Sequence, residues 1–146
     1  GRTLQQQIQM RQDQMSERLV RHVFMHLLNG LREVHTHKLL HLDIKPANIY
    51  LRTDGSPVLL DFGAARQTLT TQRPKLAPMY TPGFAAPEQY RDPDRLGPWT
   101  DVYGVGASKF AYLAAVAPQA ANERLSENHA SLTAMSRSAL DLLVPC

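Results

Sequence analysis

The chain holds a single cysteine, Cys146, as the last of its 146 residues. No disulfide can close within it, and a reducing, cytoplasmic setting is the expectation. No apolar run approaches the roughly 18 residues of a membrane span, so no membrane contact is expected from these residues. The opening GRTLQQQ has neither an initiator methionine nor a basic-then-apolar leader, which points to a piece of a longer chain. Strong charge of one sign is also missing: the formal balance is only +3, with a pI near 9.3. That leans toward an anionic partner, but the basic residues are not interleaved with aromatics, so nucleic-acid binding is not expected. No internal repeat is visible.

What is present suits one compact unit, since 146 residues with 43% hydrophobic and 20% charged side chains supply a single core. Residues 1–15 contain six glutamines and read as a polar helix or linker outside the core. From Ser16, placed as a cap, Leu19, Val20, Val23, Phe24, Leu27, Leu28, Leu31 and Val34 recur at helical spacing, predicting a long helix over 16–38. Short apolar pieces follow at 39–42, 49–51 and 58–60, the last two separated by Thr53-Asp54-Gly55-Ser56, a hairpin signal. Residues 64–98 carry six prolines and no sustained period, predicting a long irregular segment. A buried helix is expected near 99–117, apolar on nearly every side. A polar loop after Pro118 and a weaker periodic stretch at 132–143 complete the chain.

The stretch HLDIKPANIYL, residues 41–51, sets Asp43, Lys45 and Asn48 within six positions, and Asp61-Phe62-Gly63 follows the hairpin. Phosphoryl transfer needs a carboxylate to orient and deprotonate a hydroxyl, oxygen ligands for Mg²⁺, and a cation on the migrating phosphate. Magnesium takes hard oxygen ligands, usually one or two from protein, and Asn48 and Asp61 suit it.

These motifs, with Ala86-Pro87-Glu88 downstream, resemble the signature set of the protein kinases, most closely the eukaryotic-type serine/threonine kinases of bacteria. His41 to Asn48 match the catalytic loop, Asp61-Phe62-Gly63 the metal-binding motif, and Ala86-Pro87-Glu88 the end of the activation segment. The resemblance implies an α+β, protein-kinase-like fold: a mainly helical large lobe whose short β-hairpin carries the catalytic and D-F-G loops. It implies a domain divided into 1–15 after the hinge, 16–38 helix, 39–63 catalytic loop to D-F-G, 64–88 activation segment, 99–117 buried helix and 118–146 C-terminal part. It further implies ATP and Mg²⁺ as cofactors and a protein with a serine or threonine acceptor as partner. By the same resemblance Asp43 is the base, Lys45 steadies the γ-phosphate, and Asn48 and Asp61 ligate Mg²⁺. Thr81 supports Asp43 and Lys45, and Tyr50 lines the floor of the adenine pocket. Asp101 holds the catalytic-loop backbone, while His41, Phe62, Gly63 and Glu88 give structural support.

Departures from the family qualify this. Leu42 replaces the arginine that ordinarily pairs with a phosphorylated activation loop, and leucine has no N–H fork for a phosphate. Activity is therefore expected not to depend on phosphorylating Thr68, Thr70 or Thr71; loss of activity on replacing all three with alanine would refute this. No glycine-rich loop or strand lysine of the V-A-I-K type occurs, so the small lobe is expected to lie elsewhere in the parent chain as a partner of these residues. Glu88 is expected to lack its family arginine. A pseudokinase that signals by binding is the alternative. Blander readings apply to other features: His22 and His26 as surface histidines, Gly104 and Gly106 as helix-packing positions, Arg66, Arg73 and Lys75 as a solvated basic run, and Trp99 as a packing anchor.

Overall fold

A computed structural model describes residues 1–10, 15–67 and 80–126. In chain order it contains β1 (Arg2–Thr3), α1 (Leu4–Met10), α2 (Glu17–Thr36), β2 (Leu39–Leu40), a 3₁₀ turn (Pro46–Asn48), β3 (Ile49–Leu51) and β4 (Pro57–Leu59). Then come β5 (Arg66–Gln67), α3 (Pro87–Arg91), a second 3₁₀ turn (Pro93–Arg95), α4 (Pro98–Ala114) and α5 (Ala121–Ser126).

The best sequence signal gives the best helix. Ser16 caps α2 by accepting the Leu19 N–H at 3.3 Å, and the apolar stripe buries Val20, Val23, Phe24, Leu27 and Leu31. Against this stripe pack Leu4, Ile44, Ile49, Leu51 and Val105, so one core joins α1, α2, α4 and the residues around the 3₁₀ turn. The hairpin also forms as the Asp-Gly signal predicts, with Leu51 opposite Pro57 and Ile49 opposite Leu59. Gly55 takes the left-handed φ of +83° that its turn needs. Ser56 donates to Asp54 through both its hydroxyl (2.6 Å) and its amide (2.9 Å), bonds that hold the Asp54 carboxyl below its ordinary range.

Several expectations need correction. Within 1–15 the polar helix forms as α1, but the described residues 1–10 do not lie outside the core: Leu4 is fully buried, and β1 pairs with β3, making a three-stranded sheet of order β1-β3-β4. Within 64–98, β5 pairs with β2, α3 and a 3₁₀ turn follow, and α4 starts at Pro98. Prolines at the first positions of α3 and α4 begin helices rather than breaking them, since the missing N–H is not needed there. The apolar piece at 39–42 is strand only as far as Leu40. Helix α4 is not apolar all round, because its buried side includes Thr100, Asp101 and Ser108, while Leu113 faces solvent. Trp99 is 61% exposed, its indole donating to the Arg95 carbonyl at 3.0 Å, so it is a surface residue and no core anchor. The polar stretch after Pro118 contains α5, with Arg124 buried against Tyr103. Arg73, Lys75 and the 132–143 stretch lie outside the described residues, as do Thr68, Thr70 and Thr71.

Gly104 bears out its packing role. A Cβ there would stand 2.9 Å from the Ile44 Cβ and 3.0 Å from the Ile44 carbonyl oxygen. Helix α4 thus approaches residue 44 closely enough to brace the loop that holds Asp43.

Candidate active site

The loop between β2 and β3 leaves the strand because a side chain takes over its backbone donors. Asp101, 1% exposed near the start of α4, accepts the His41 N–H through Oδ2 at 2.9 Å and the Leu42 N–H through Oδ1 at 2.8 Å. Those N–H groups are then unavailable to a ladder, so β2 ends at Leu40. His35, in the last turn of α2, adds a third donor, its Nε2 lying 2.8 Å from Asp101 Oδ2. A carboxylate so deeply buried is tolerated only with such a full set of partners.

His41 extends the network forward. Its Nδ1 accepts the Asp43 N–H at 3.2 Å, which leaves Nε2 to carry the ring proton and donate it to the Leu60 carbonyl at 2.9 Å. The Leu60 N–H in turn donates to the Asn48 carbonyl at 2.8 Å. Leu60 is therefore stitched to the catalytic loop at both its N–H and its carbonyl, and the next residue, Asp61, emerges beside that loop. Between His41 and Asp43, Leu42 adopts a left-handed φ of +66° with its side chain buried, an unusual conformation for a branched residue.

The polar groups meet at the Asp43 carboxylate. The Thr81 hydroxyl donates to Asp43 Oδ1 at 2.9 Å and accepts from Lys45 Nζ at 2.9 Å. Lys45 Nζ also lies 3.4 Å from Asp43 Oδ2. Asn48 donates through Nδ2 to the Asp43 carbonyl at 2.9 Å, with the same nitrogen 3.4 Å from Asp43 Oδ2. Because Nδ2 makes both bonds, the Asn48 amide oxygen is the atom left for a cation. Asp61 is exposed, at φ +57°, and one carboxylate oxygen accepts the Gly63 N–H at 3.1 Å, the other having no partner among the described residues. Asn48 and Asp61 thus offer two hard oxygens, a donor set that fits Mg²⁺.

The structure brings Asp43, Lys45, Asn48 and Thr81 into one hydrogen-bonded group, with Asp61 adjoining it. Phe62, 44% exposed, meets the His41 ring edge-on at 4.7 Å between centroids. Tyr50 lies half-buried on β3, opposite Thr3 and Val58. Glu88 is not without a partner: the Thr100 hydroxyl donates to its Oε1 at 2.7 Å, and the Gly97 N–H donates to that hydroxyl at 3.1 Å. Gly83, at φ +87°, lets the segment holding Thr81 pass so close to Pro118 that a Cβ would stand 2.5 Å from its carbonyl oxygen. Nearby, Tyr90 packs on Tyr80 with centroids 4.5 Å apart, and burial, followed by the charges at Tyr80 and Glu123, pushes the Tyr90 phenol up.

Two residues of this network escape a sequence reading. His35 ends a helix whose signal is its apolar stripe. Gln89 accepts the Ala86 N–H through Oε1 at 3.0 Å and donates through Nε2 to the Leu42 carbonyl at 3.0 Å. Its place as third residue of α3, where Glu or Gln reaches back to the preceding backbone, was the signal available. His22 and His26 are exposed on α2, their rings 4.0 Å apart.

Residues 1–143 match the family model described as protein kinase domain. The chain is 34% identical over 135 residues to serine/threonine-protein kinase PknA of Nostoc sp., covering 88% of this chain and 23% of the relative. It is 33% identical over 111 residues to cyclin-dependent kinase-like 1 of Caenorhabditis elegans, covering 72% and 30%. Against serine/threonine-protein kinase 17A of Oryctolagus cuniculus it is 30% identical over 111 residues, covering 74% and 28%. It thus spans between 23% and 30% of the length of these curated relatives. Motif order, the Asp101-held loop and the match over nearly the whole sequence agree: the chain belongs to the protein kinase domain family, with relatives of the eukaryotic serine/threonine type.

Proposed function

We propose that these residues form the large-lobe part of an ATP-dependent protein serine/threonine kinase. The observation that carries this is the Thr81 hydroxyl bridging Lys45 and the Asp43 carboxylate, 2.9 Å from each. It ties the segment next to the acceptor site to the base and the cation together. Asp43 accepts the proton of a serine or threonine hydroxyl as that oxygen bonds to the γ-phosphorus and the bond to the bridging β–γ oxygen breaks, releasing ADP. Lys45 stands beside the incoming oxygen and offsets the charge of the transferred group. Mg²⁺ held by Asn48 and Asp61 would neutralise phosphate oxygens, and Tyr50 would face the adenine side.

The finer claims have separate supports. Leu42 is buried, so no group at that position is offered to a phosphothreonine, and activity independent of loop phosphorylation follows. The sequence holds no glycine-rich loop or V-A-I-K lysine. Positioning and electrostatics supply most of the rate in phosphoryl transfer, so residues 1–146 alone should turn over ATP very slowly. Among the described residues no helix is long and apolar enough to cross a membrane; together with the lone Cys146, this favours a cytoplasmic location for these residues.

The test is Asp43→Asn in the full-length protein, assayed for phosphate transfer from Mg²⁺-ATP to a protein substrate. Loss of the base should lower kcat on the order of 10²-fold or more. Unchanged transfer would reject Asp43 as the base, and no transfer by the unaltered protein would favour a scaffold that signals by binding.

A further inference from the structure

We propose that Gln89 is a positioning residue for Asp43, clamping the peptide plane that precedes the base and doing so without any phosphate on the activation segment. This rests on the kinase function proposed above and adds a residue to it.

The Leu42–Asp43 peptide is held at both of its polar ends by side chains. Its carbonyl, on Leu42, accepts from Gln89 Nε2 at 3.0 Å, and its N–H, on Asp43, donates to His41 Nδ1 at 3.2 Å. The preceding N–H, on Leu42, goes to Asp101 Oδ1 at 2.8 Å. Such fixing is required because Leu42 sits at φ +66°, where a branched side chain is strained and the backbone relaxes by rotating peptide planes unless they are held. Rotation of this particular plane would re-aim the Asp43 side chain relative to Lys45 and Thr81. Asp101 and His41 hold the N–H groups, and Gln89 alone among the described residues supplies a side-chain donor to the Leu42 carbonyl.

Gln89 also fixes where the clamp comes from. Its Oε1 accepts the Ala86 N–H at 3.0 Å, so a single carboxamide joins the start of α3 to the catalytic loop. In many kinases a phosphate gripped by an arginine before the catalytic Asp would join these parts. Here that position is the buried Leu42, and the neutral amide bridges the same two segments through the residue's backbone instead.

Glutamate at position 89 makes the idea testable, because one oxygen can still accept the Ala86 N–H while the other needs a proton to donate to the Leu42 carbonyl. Ionised, it sets a negative charge against that carbonyl; protonated, it restores the bridge. Facing the Leu42 carbonyl in a partly buried site favours the neutral acid and raises the pKa of such a glutamic acid, against the opposite pull of the Ala86 N–H. Its neutral form therefore gains population as pH falls toward 6. In the full-length protein, Gln89→Ala should lower kcat about tenfold with KM for ATP within about twofold, as expected for a misplaced base. The ratio of Gln89→Glu to unaltered kcat should rise severalfold from pH 8 to pH 6, while the Gln89→Ala ratio stays flat. A Gln89→Glu protein as active as the unaltered one at pH 8, where its carboxylate opposes the Leu42 carbonyl, or an unchanged kcat in Gln89→Ala, would overturn the proposal. If the unaltered protein transfers no phosphate, the kinase function fails and amide exchange decides the clamp separately. Faster exchange at the Asp43 N–H in Gln89→Ala than in the unaltered chain supports it, and equal exchange overturns it.

Discussion

The two loops that carry Asp43 and Asp61 are built very differently. Around Asp43, the N–H groups of His41, Leu42 and Asp43 and the carbonyls of Leu42 and Asp43 are all held by side chains, and Asp101 beneath them is 1% exposed. Around Asp61 the carboxylate is exposed, Phe62 is 44% exposed, and among the described residues the Asp61 side chain is held by one local bond to the Gly63 N–H. The Asp43 loop is fixed from behind by a helix, whereas the Asp61 carboxylate stands on a turn open to solvent. A buried carboxylate can organise a loop because each missing bond there is expensive, and an exposed one has no such leverage.

The comparison breaks most sharply at Asp101. Asp101→Ala strands the buried N–H groups of His41 and Leu42 together with His35, and should destabilise the fold by about 3–5 kcal/mol in denaturant unfolding. A loss under about 1 kcal/mol would mean that water or backbone replaces the carboxylate.

Gly104→Ala probes the same loop from the packing side. The new methyl meets Ile44 at 2.9 Å, so overpacking of about 1–3 kcal/mol opposes a gain of about 1 kcal/mol in helix propensity. A net loss of about 1 kcal/mol is expected by thermal unfolding; net stabilisation would show that α4 and residue 44 do not press together. Phe62→Ala, in the open turn, should have an effect of about 1 kcal/mol, because it removes one edge contact with His41 from a ring already 44% exposed. A larger loss would place Phe62 inside the supported region.

Which parts were legible in the sequence follows from the range of the forces involved. Asp43, Lys45 and Asn48 lie within six positions, and α2 announces itself by its apolar stripe, so local pattern suffices for both. The Asp54-Gly55 turn was likewise local. The burial of Leu4 and the pairing of Thr3 with Tyr50 were not visible, because a two-residue strand has no period and its partner lies 47 positions away. The end of β2 at Leu40 was not visible because its cause, Asp101, is distant in sequence, even though resemblance to the kinases had named that residue's role. Thr100 was missed as the partner of Glu88, and Gln89 as a support for Leu42, because neutral hydrogen-bonding side chains carry no charge pattern that marks them in advance.

Amide hydrogen exchange under native conditions tests the contrast between the two loops most directly. The N–H groups of His41 and Leu42, bonded to a buried carboxylate, should exchange only through near-global opening, while the exposed Gly63 N–H should exchange orders of magnitude faster. Comparable protection at Leu42 and Gly63 would contradict the claim that the Asp43 loop is held by the fold while the Asp61 turn is not.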